Sequence, residues 1–146
     1  MAGEFAYFDT SALVKRYVKE DGSPRARALL RRHRFVSSSI APVEAISAFS
    51  RRRATGDLTE RDFVAMLARL REDRAYWDLI EVSSMVLGRA EELVRREALR
   101  TLDAVHVASA LTFEMAHGVR LPFVTADARQ RDAAGRLALA IVWVGS

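Results

Sequence analysis

The amino-acid pattern predicts an α/β fold, a parallel sheet with helices covering both of its faces. Short apolar runs alternate with longer segments of helical period, the pattern of βαβ units. The first run, Phe5-Ala-Tyr-Phe8, has no polar alternation, as expected of a strand buried on both faces. Hydroxyl and acidic residues that start helices follow closely behind several of these runs.

The elements follow in order. Residues 4–8 form the first strand, which stops at Asp9, and a helix runs from Thr10 to about Val18. Asp21-Gly22-Ser23-Pro24 is a turn that opens a helix, with Ser23 as N-cap and Pro24 at the first helical position. That helix reaches about His33 and is studded with Arg25, Arg27, Arg31 and Arg32. Arg34–Ser37 is a second strand. A helix beginning at Ala41-Pro42 carries Val43, Ala45, Ile46 and Phe49 inward and ends before Gly56 at its C′ position. The next opens at Thr59–Asp62 and repeats Phe63, Met66, Leu67 and Leu70 at helical spacing, with Arg61, Arg69 and Arg71 outside. Leu79–Val82 reads as a strand, and Ser83 caps a helix through Glu97. Thr101 to about His117 is a helix apolar nearly all round, hence buried on more than one side. Pro122–Thr125 is a strand, Asp127 to about Ala134 a short helix, and Leu139–Val144 the last strand. Two consecutive helices between residues 41 and 75 depart from strict alternation.

A chain of 146 residues, half of them hydrophobic and 29% charged, suits a single folded domain spanning 1–146. With no cysteine, disulfides and thiolate metal sites are excluded. The N-terminal residues have neither a basic region nor a long apolar one, and no apolar run approaches the ~20 residues of a membrane span. A cytoplasmic protein without membrane association is expected. The net charge of +4 and pI near 10.1 hint at a polyanionic partner. Of the 23 basic residues only Lys15 and Lys19 are lysines, leaving 21 arginines, a skew that GC-rich codon usage also produces.

Four acids occupy comparable places near predicted helix starts in apolar settings: Asp9, Glu44, Asp103 and Asp127. Each has an ordinary structural role open to it, as a helix cap or a partner of the helix dipole. Together they suggest more. Asp103 opens the most apolar helix, and Asp9 ends a strand expected at the centre of the sheet. Several carboxylates buried at close range require a neutralising cation. Oxygen-only ligands suit Mg²⁺ or Mn²⁺ rather than zinc. Thr10, Ser11 and Thr125 add hydroxyls fit to orient a carboxylate or a bound water. In an open parallel sheet, ligands bind beyond the carboxyl ends of the strands, where Asp9 and Asp127 fall. His106, one turn beyond Asp103, reads as a hydrogen-bonded core histidine. The glycines form no phosphate loop. No second Asp stands two residues after Asp9, which disfavours a haloacid-dehalogenase-like phosphatase.

These segments also carry a resemblance. Phe8-Asp-Thr-Ser-Ala-Leu13 resembles the opening motif of PIN-domain proteins, and Ser38-Ser-Ile-Ala-Pro-Val-Glu-Ala45 the segment with their glutamate. Leu102-Asp-Ala-Val-His-Val-Ala-Ser-Ala110 is similar to their Asp-bearing helix of small residues, and Phe123-Val-Thr-Ala-Asp127 to their last acidic motif. The four stand in the family's order and span essentially the whole chain. The resemblance implies a three-layer α/β/α sandwich with a mostly parallel sheet. Asp9, Glu44, Asp103 and Asp127 would surround one or two Mg²⁺ or Mn²⁺ ions, with Thr10, Ser11 and Thr125 behind them. It further implies a metal-dependent endoribonuclease acting on single-stranded RNA, most often the VapC-type toxin of a toxin–antitoxin pair. Such toxins dimerise and are restrained by a VapB-like antitoxin. Alternatives are a PIN nuclease of RNA processing or of DNA, and an inactive scaffold binding RNA or protein. Arg16, Arg51 and Arg52 are the expected phosphate contacts. Phe63, Met66 and Leu67 form an apolar patch, read as core in preference to a dimer face.

Overall fold

The computed structural model describes residues 3–146; Met1 and Ala2, part of the stretch read above for a leader, lie outside them. Twelve elements run in the order β1 (Phe5–Phe8), α1 (Thr10–Val14), α2 (Ser23–Arg32), β2 (Arg34–Ser38), α3 (Ala41–Ala54), α4 (Glu60–Arg74), β3 (Asp78–Ile80), α5 (Ser84–Glu97), α6 (Thr101–His117), β4 (Pro122–Thr125), α7 (Ala128–Arg136) and β5 (Ala140–Trp143). The strands form one sheet in the order β3-β2-β1-β4-β5. Every pairing is parallel, with Tyr7 opposite both Val36 and Phe123. The sheet is thus wholly parallel, and β1 lies at its centre.

Alternation along β1 explains the three layers. Ala6 and Phe8 enter a core shared with α1, α2, α3 and α4. Tyr7 enters the opposite core, built with α5, α6 and α7. Both faces are covered, so the strand reads as uninterrupted apolar sequence. Helix α6 is buried all round from Ala104 to Ala110, and again at Phe113. Phe63 and Met66 are buried in the first core with Leu67 packed against it, so this patch is core.

Several caps lie where the sequence puts them. Thr59 and Ser83 accept hydrogen bonds from the Asp62 and Val86 amides, and Gly56 has a φ of 86° just past α3. Strands β3 and β5 are shorter than expected, and three further details differ. Helix α1 ends at Val14, and the chain continues in i→i+3 turns through Tyr17. The N-cap of α2 is Gly22, not Ser23: its φ of 84° suits glycine, and a Cβ there would lie 1.9 Å from the Val144 carbonyl oxygen. Ser23 instead closes the preceding turn, donating to the Val18 carbonyl and accepting from the Glu20 amide. Val43 points outward, 64% exposed, because the inward face of α3 is taken by Ala45 and Phe49.

The end of α4 is tied to the turns after α1 through Asp73, which accepts from Arg16 Nε at 2.8 Å and from the Tyr17 hydroxyl. Burial alone would raise the Asp73 pKa, but the Arg16 and Tyr17 hydrogen bonds and the Arg16 charge outweigh it and hold it below the usual range. A depressed carboxylate stabilises the fold above its unfolded pKa of ~3.9 and loses that contribution as pH falls through the lower folded value. Asp73→Asn is therefore expected to cost about 1 kcal/mol at pH 7. In denaturant titrations run from pH 7 to 2, the difference from wild type should close below about pH 4.

Candidate active site

Because β1 pairs with β2 on one side and β4 on the other, the chain changes direction across the sheet beside β1. A parallel sheet opens a crevice there, beyond the carboxyl ends of its strands. The structure has a cleft of about 1000 Å³, lined by Glu44, Asp103 and Asp127 with Thr10 and Ser11. Asp9 lies beneath, fully buried.

Asp9 is the N-cap of α1. Its Oδ1 accepts from the Ala12 amide at 3.0 Å and the Ser11 hydroxyl at 2.6 Å, and its Oδ2 from the Thr125 hydroxyl. Ser11 Oγ and Thr125 Oγ1 in turn accept from the amides of Ala126 and Asp127, tying the end of β4 to the start of α1. Asp9 thus caps α1 while lying beneath the cleft. Burial drives the Asp9 pKa upward, against the His106 charge and these hydrogen bonds.

Glu44, in the first turn of α3, accepts at Oε1 from Thr10 Oγ1 and from His106 Nε2, each at 2.6 Å. Burial opposes its ionisation, yet the His106 hydrogen bond and charge, with Thr10, bring its pKa below the ordinary value. Asp103 stands in the first turn of α6 and accepts from Gln130 Nε2 at 3.3 Å. Its pKa is raised by burial and then by the neighbouring charges of Asp127 and Glu44, only partly offset by His106 and Arg100. Asp127 caps α7, accepting from the Arg129 and Gln130 amides.

Three further residues belong to this setting. His106 is buried as a hydrogen-bonded histidine, and it also reaches Glu44. Gln130 is 4% exposed and lines the cleft, with an Oε1 that has no hydrogen-bond partner. Lys15 lines the cleft too, its Nζ bound to Glu20 and to the Asp21 carbonyl. Helical period was their signal: His106 follows Asp103 by three residues, Gln130 follows Asp127 by three, and Lys15 follows Ser11 by four.

Of the three arginines proposed as phosphate contacts, Arg51 lines the cleft, hydrogen-bonded to Ser47. Arg52 is paired with Glu20. Arg16 is not brought to the cleft: it pairs with Asp73 beside a separate hollow lined by Phe35, Tyr76 and Trp77.

The residues present fit a hard divalent cation. The donors are all oxygens, three acids share one cleft, and the orphaned Gln130 oxygen adds a neutral donor. Among the described residues no three acidic or histidine side chains already form a cage for an ion.

The family model for the PIN domain matches residues 6–136. The chain belongs to the PIN domain family. Among curated proteins it is 38% identical over 137 residues to ribonuclease VapC46 of Mycobacterium tuberculosis (strain ATCC 25618 / H37Rv), covering 93% of this chain and 95% of that one. It is 39% identical over 109 residues to ribonuclease VapC45 of M. tuberculosis (strain CDC 1551 / Oshkosh), covering 72% and 74%. Among solved structures, a toxin–antitoxin complex from Klebsiella pneumoniae superposes with a TM-score of 0.65 at 20% identity, over 94% of this chain and 95% of that chain. PAE2754 from Pyrobaculum aerophilum gives 0.62 at 19% identity, over 99% and 92%. These likenesses bear out the three-layer α/β fold expected of this PIN chain.

Asp103 supplies a pH test. Its folded pKa lies above the unfolded value, so the ionised group costs stability at neutral pH, and the cost disappears as pH falls through the raised folded pKa. In chelator at pH 7.5, Asp103→Asn should melt higher than wild type. That gain should shrink steadily in melts taken toward pH 4.

Proposed function

We propose that this chain is a metal-dependent endoribonuclease that cleaves single-stranded RNA regions, the toxin of a type II toxin–antitoxin pair. The observation that carries the reading is the convergence of Glu44, Asp103 and Asp127 on one cleft above buried Asp9, at the switch point of a parallel sheet. The VapC ribonucleases among its relatives, similar over as much as 93% of the chain, support the same chemistry.

Asp9, Asp103, Asp127 and Glu44 are the residues that would hold Mg²⁺ or Mn²⁺, directly or through water. Such an ion, when bound, neutralises charge on the phosphate and acidifies a water molecule. Ser11 and Thr125 keep the Asp9 carboxylate oriented. Thr10 and His106 occupy Glu44 Oε1. That leaves Oε2 to join the ligand set or to accept a proton from the attacking water. In-line attack leaves a 5′-phosphate and a 3′-hydroxyl. Arg51, at the cleft wall, is the phosphate contact, and unstacked bases of a single strand are what the walls read. The remaining partners are a VapB-like antitoxin and a second copy of the chain.

Cleavage of a mixed pool of structured and single-stranded RNAs tests this. Wild type should cut with Mg²⁺ or Mn²⁺ and stop in chelator, and an identically purified Asp9→Asn protein should not cut. Equal cutting by both proteins would reduce Asp9 to a helix cap. Arg51→Ala should raise KM several-fold and lower the salt slope of RNA binding by roughly one, leaving kcat nearly unchanged.

A further inference from the structure

We infer that His106 is a positioning residue: anchored on the Tyr7 hydroxyl inside the protein, it fixes one oxygen of Glu44 so that the other is left for the cleft. The inference rests on the functional reading above and names a member of the site that acts through Glu44.

Tyr7 is fully buried and His106 is 1% exposed. The Tyr7 ring stacks on Phe123 with centroids 5.2 Å apart and meets the imidazole edge-on at 5.8 Å. Its hydroxyl lies 2.7 Å from Nδ1, and Nε2 lies 2.6 Å from Glu44 Oε1. An ionised carboxylate only accepts hydrogen bonds, so Nε2 carries the hydrogen of that contact. Both ring nitrogens are therefore engaged, and the histidine is a strut between β1 and α3 rather than a ligand. A glutamate at the edge of a cleft otherwise samples several rotamers, whose loss on ordering opposes binding. Here the Thr10 hydroxyl and the imidazole hold Oε1 from two sides before any ion or substrate arrives. Partners of this kind typically contribute 10- to 100-fold in metal affinity or activity.

The test compares wild type, Tyr7→Phe, His106→Leu and His106→Gln, each with Glu44 intact and in a Glu44→Gln background. Mn²⁺ affinity is read from the paramagnetic resonance signal of the free ion, beside kcat, KM and thermal melting. With Glu44 intact, His106→Leu should weaken Mn²⁺ binding and lower kcat by about 10- to 100-fold with little change in KM. His106→Gln, whose amide can still donate to Oε1, should recover much of that loss. Tyr7→Phe, which removes a single oxygen and leaves the packing, should lose about tenfold. With Glu44→Gln these substitutions should cost no further Mn²⁺ affinity, because their effect passes through Glu44. Wild-type affinity and kcat in His106→Leu, or in Tyr7→Phe where the leucine protein does not fold, would overturn the strut. So would equal losses in both backgrounds, which would mark a general packing role. Wild type that neither binds Mn²⁺ nor cuts RNA would overturn the nuclease reading and this inference with it.

Discussion

The structure turns on a carboxylate buried at the end of its central strand. Asp9 sits where β1 stops, under the crossover between the two halves of the sheet, with no solvent exposure. A buried carboxylate is tolerated only when its lone pairs are occupied. The local architecture meets that demand: α1 turns the Ala12 amide toward Oδ1, and Ser11 and Thr125 bring hydroxyls to either side. Because Thr125 belongs to β4 and Ser11 to α1, solvating one acid also locks two elements together. The same hydroxyls hold the amides of Ala126 and Asp127, so the start of α7 is placed by the residues that serve Asp9.

From that anchor the other acids follow by geometry. Asp127 caps the helix behind β4, Asp103 opens α6 on one face of the sheet, and Glu44 opens α3 on the other. Each comes from a helix start aimed at the carboxyl edge of the sheet, where helix dipoles favour negative charge. The outcome is an acidic cleft in a protein of net positive charge. Among the described residues six of the 21 arginines are held in ion pairs, among them Arg16 with Asp73, Arg52 with Glu20 and Arg136 with Glu97. Overall charge is therefore a weak guide to where a polyanion sits. Arg51, with a serine as its hydrogen-bond partner, lines the cleft.

Much of this was legible in the chain itself. The unbroken apolar β1, the caps at Thr59 and Ser83 and the glycine beyond α3 are written in local residue chemistry, so the order and extent of most elements could be read. The four acids could be singled out because each breaks an apolar context at a helix start. Burial of Phe63 and Met66 followed from helical period. Errors arose where local rules compete. Ser23 has the chemistry of an N-cap, yet the close approach of the Val144 carbonyl makes Gly22 the residue that must take the left-handed turn. Val43 is apolar and near the inward stripe of α3, but it stands at the cleft rim, where no core covers it.

The sequence by itself determined the layered α/β fold and which carboxylates to watch, since both depend on short-range patterns of polarity and capping. Only the tertiary structure decided what those groups touch. Tyr7 and His106 are 99 positions apart, and Glu44 and His106 are 62. Their hydrogen bonds exist because strand order sets β1 against α6 and α3 across two cores. The same long-range packing turned Arg16 away to Asp73, buried Lys15 and Gln130 in the cleft wall, and left one Gln130 oxygen unpaired. Periodicity assigns a residue to a face of its own helix. What lies opposite that face is set by topology, through contacts between residues far apart in the chain.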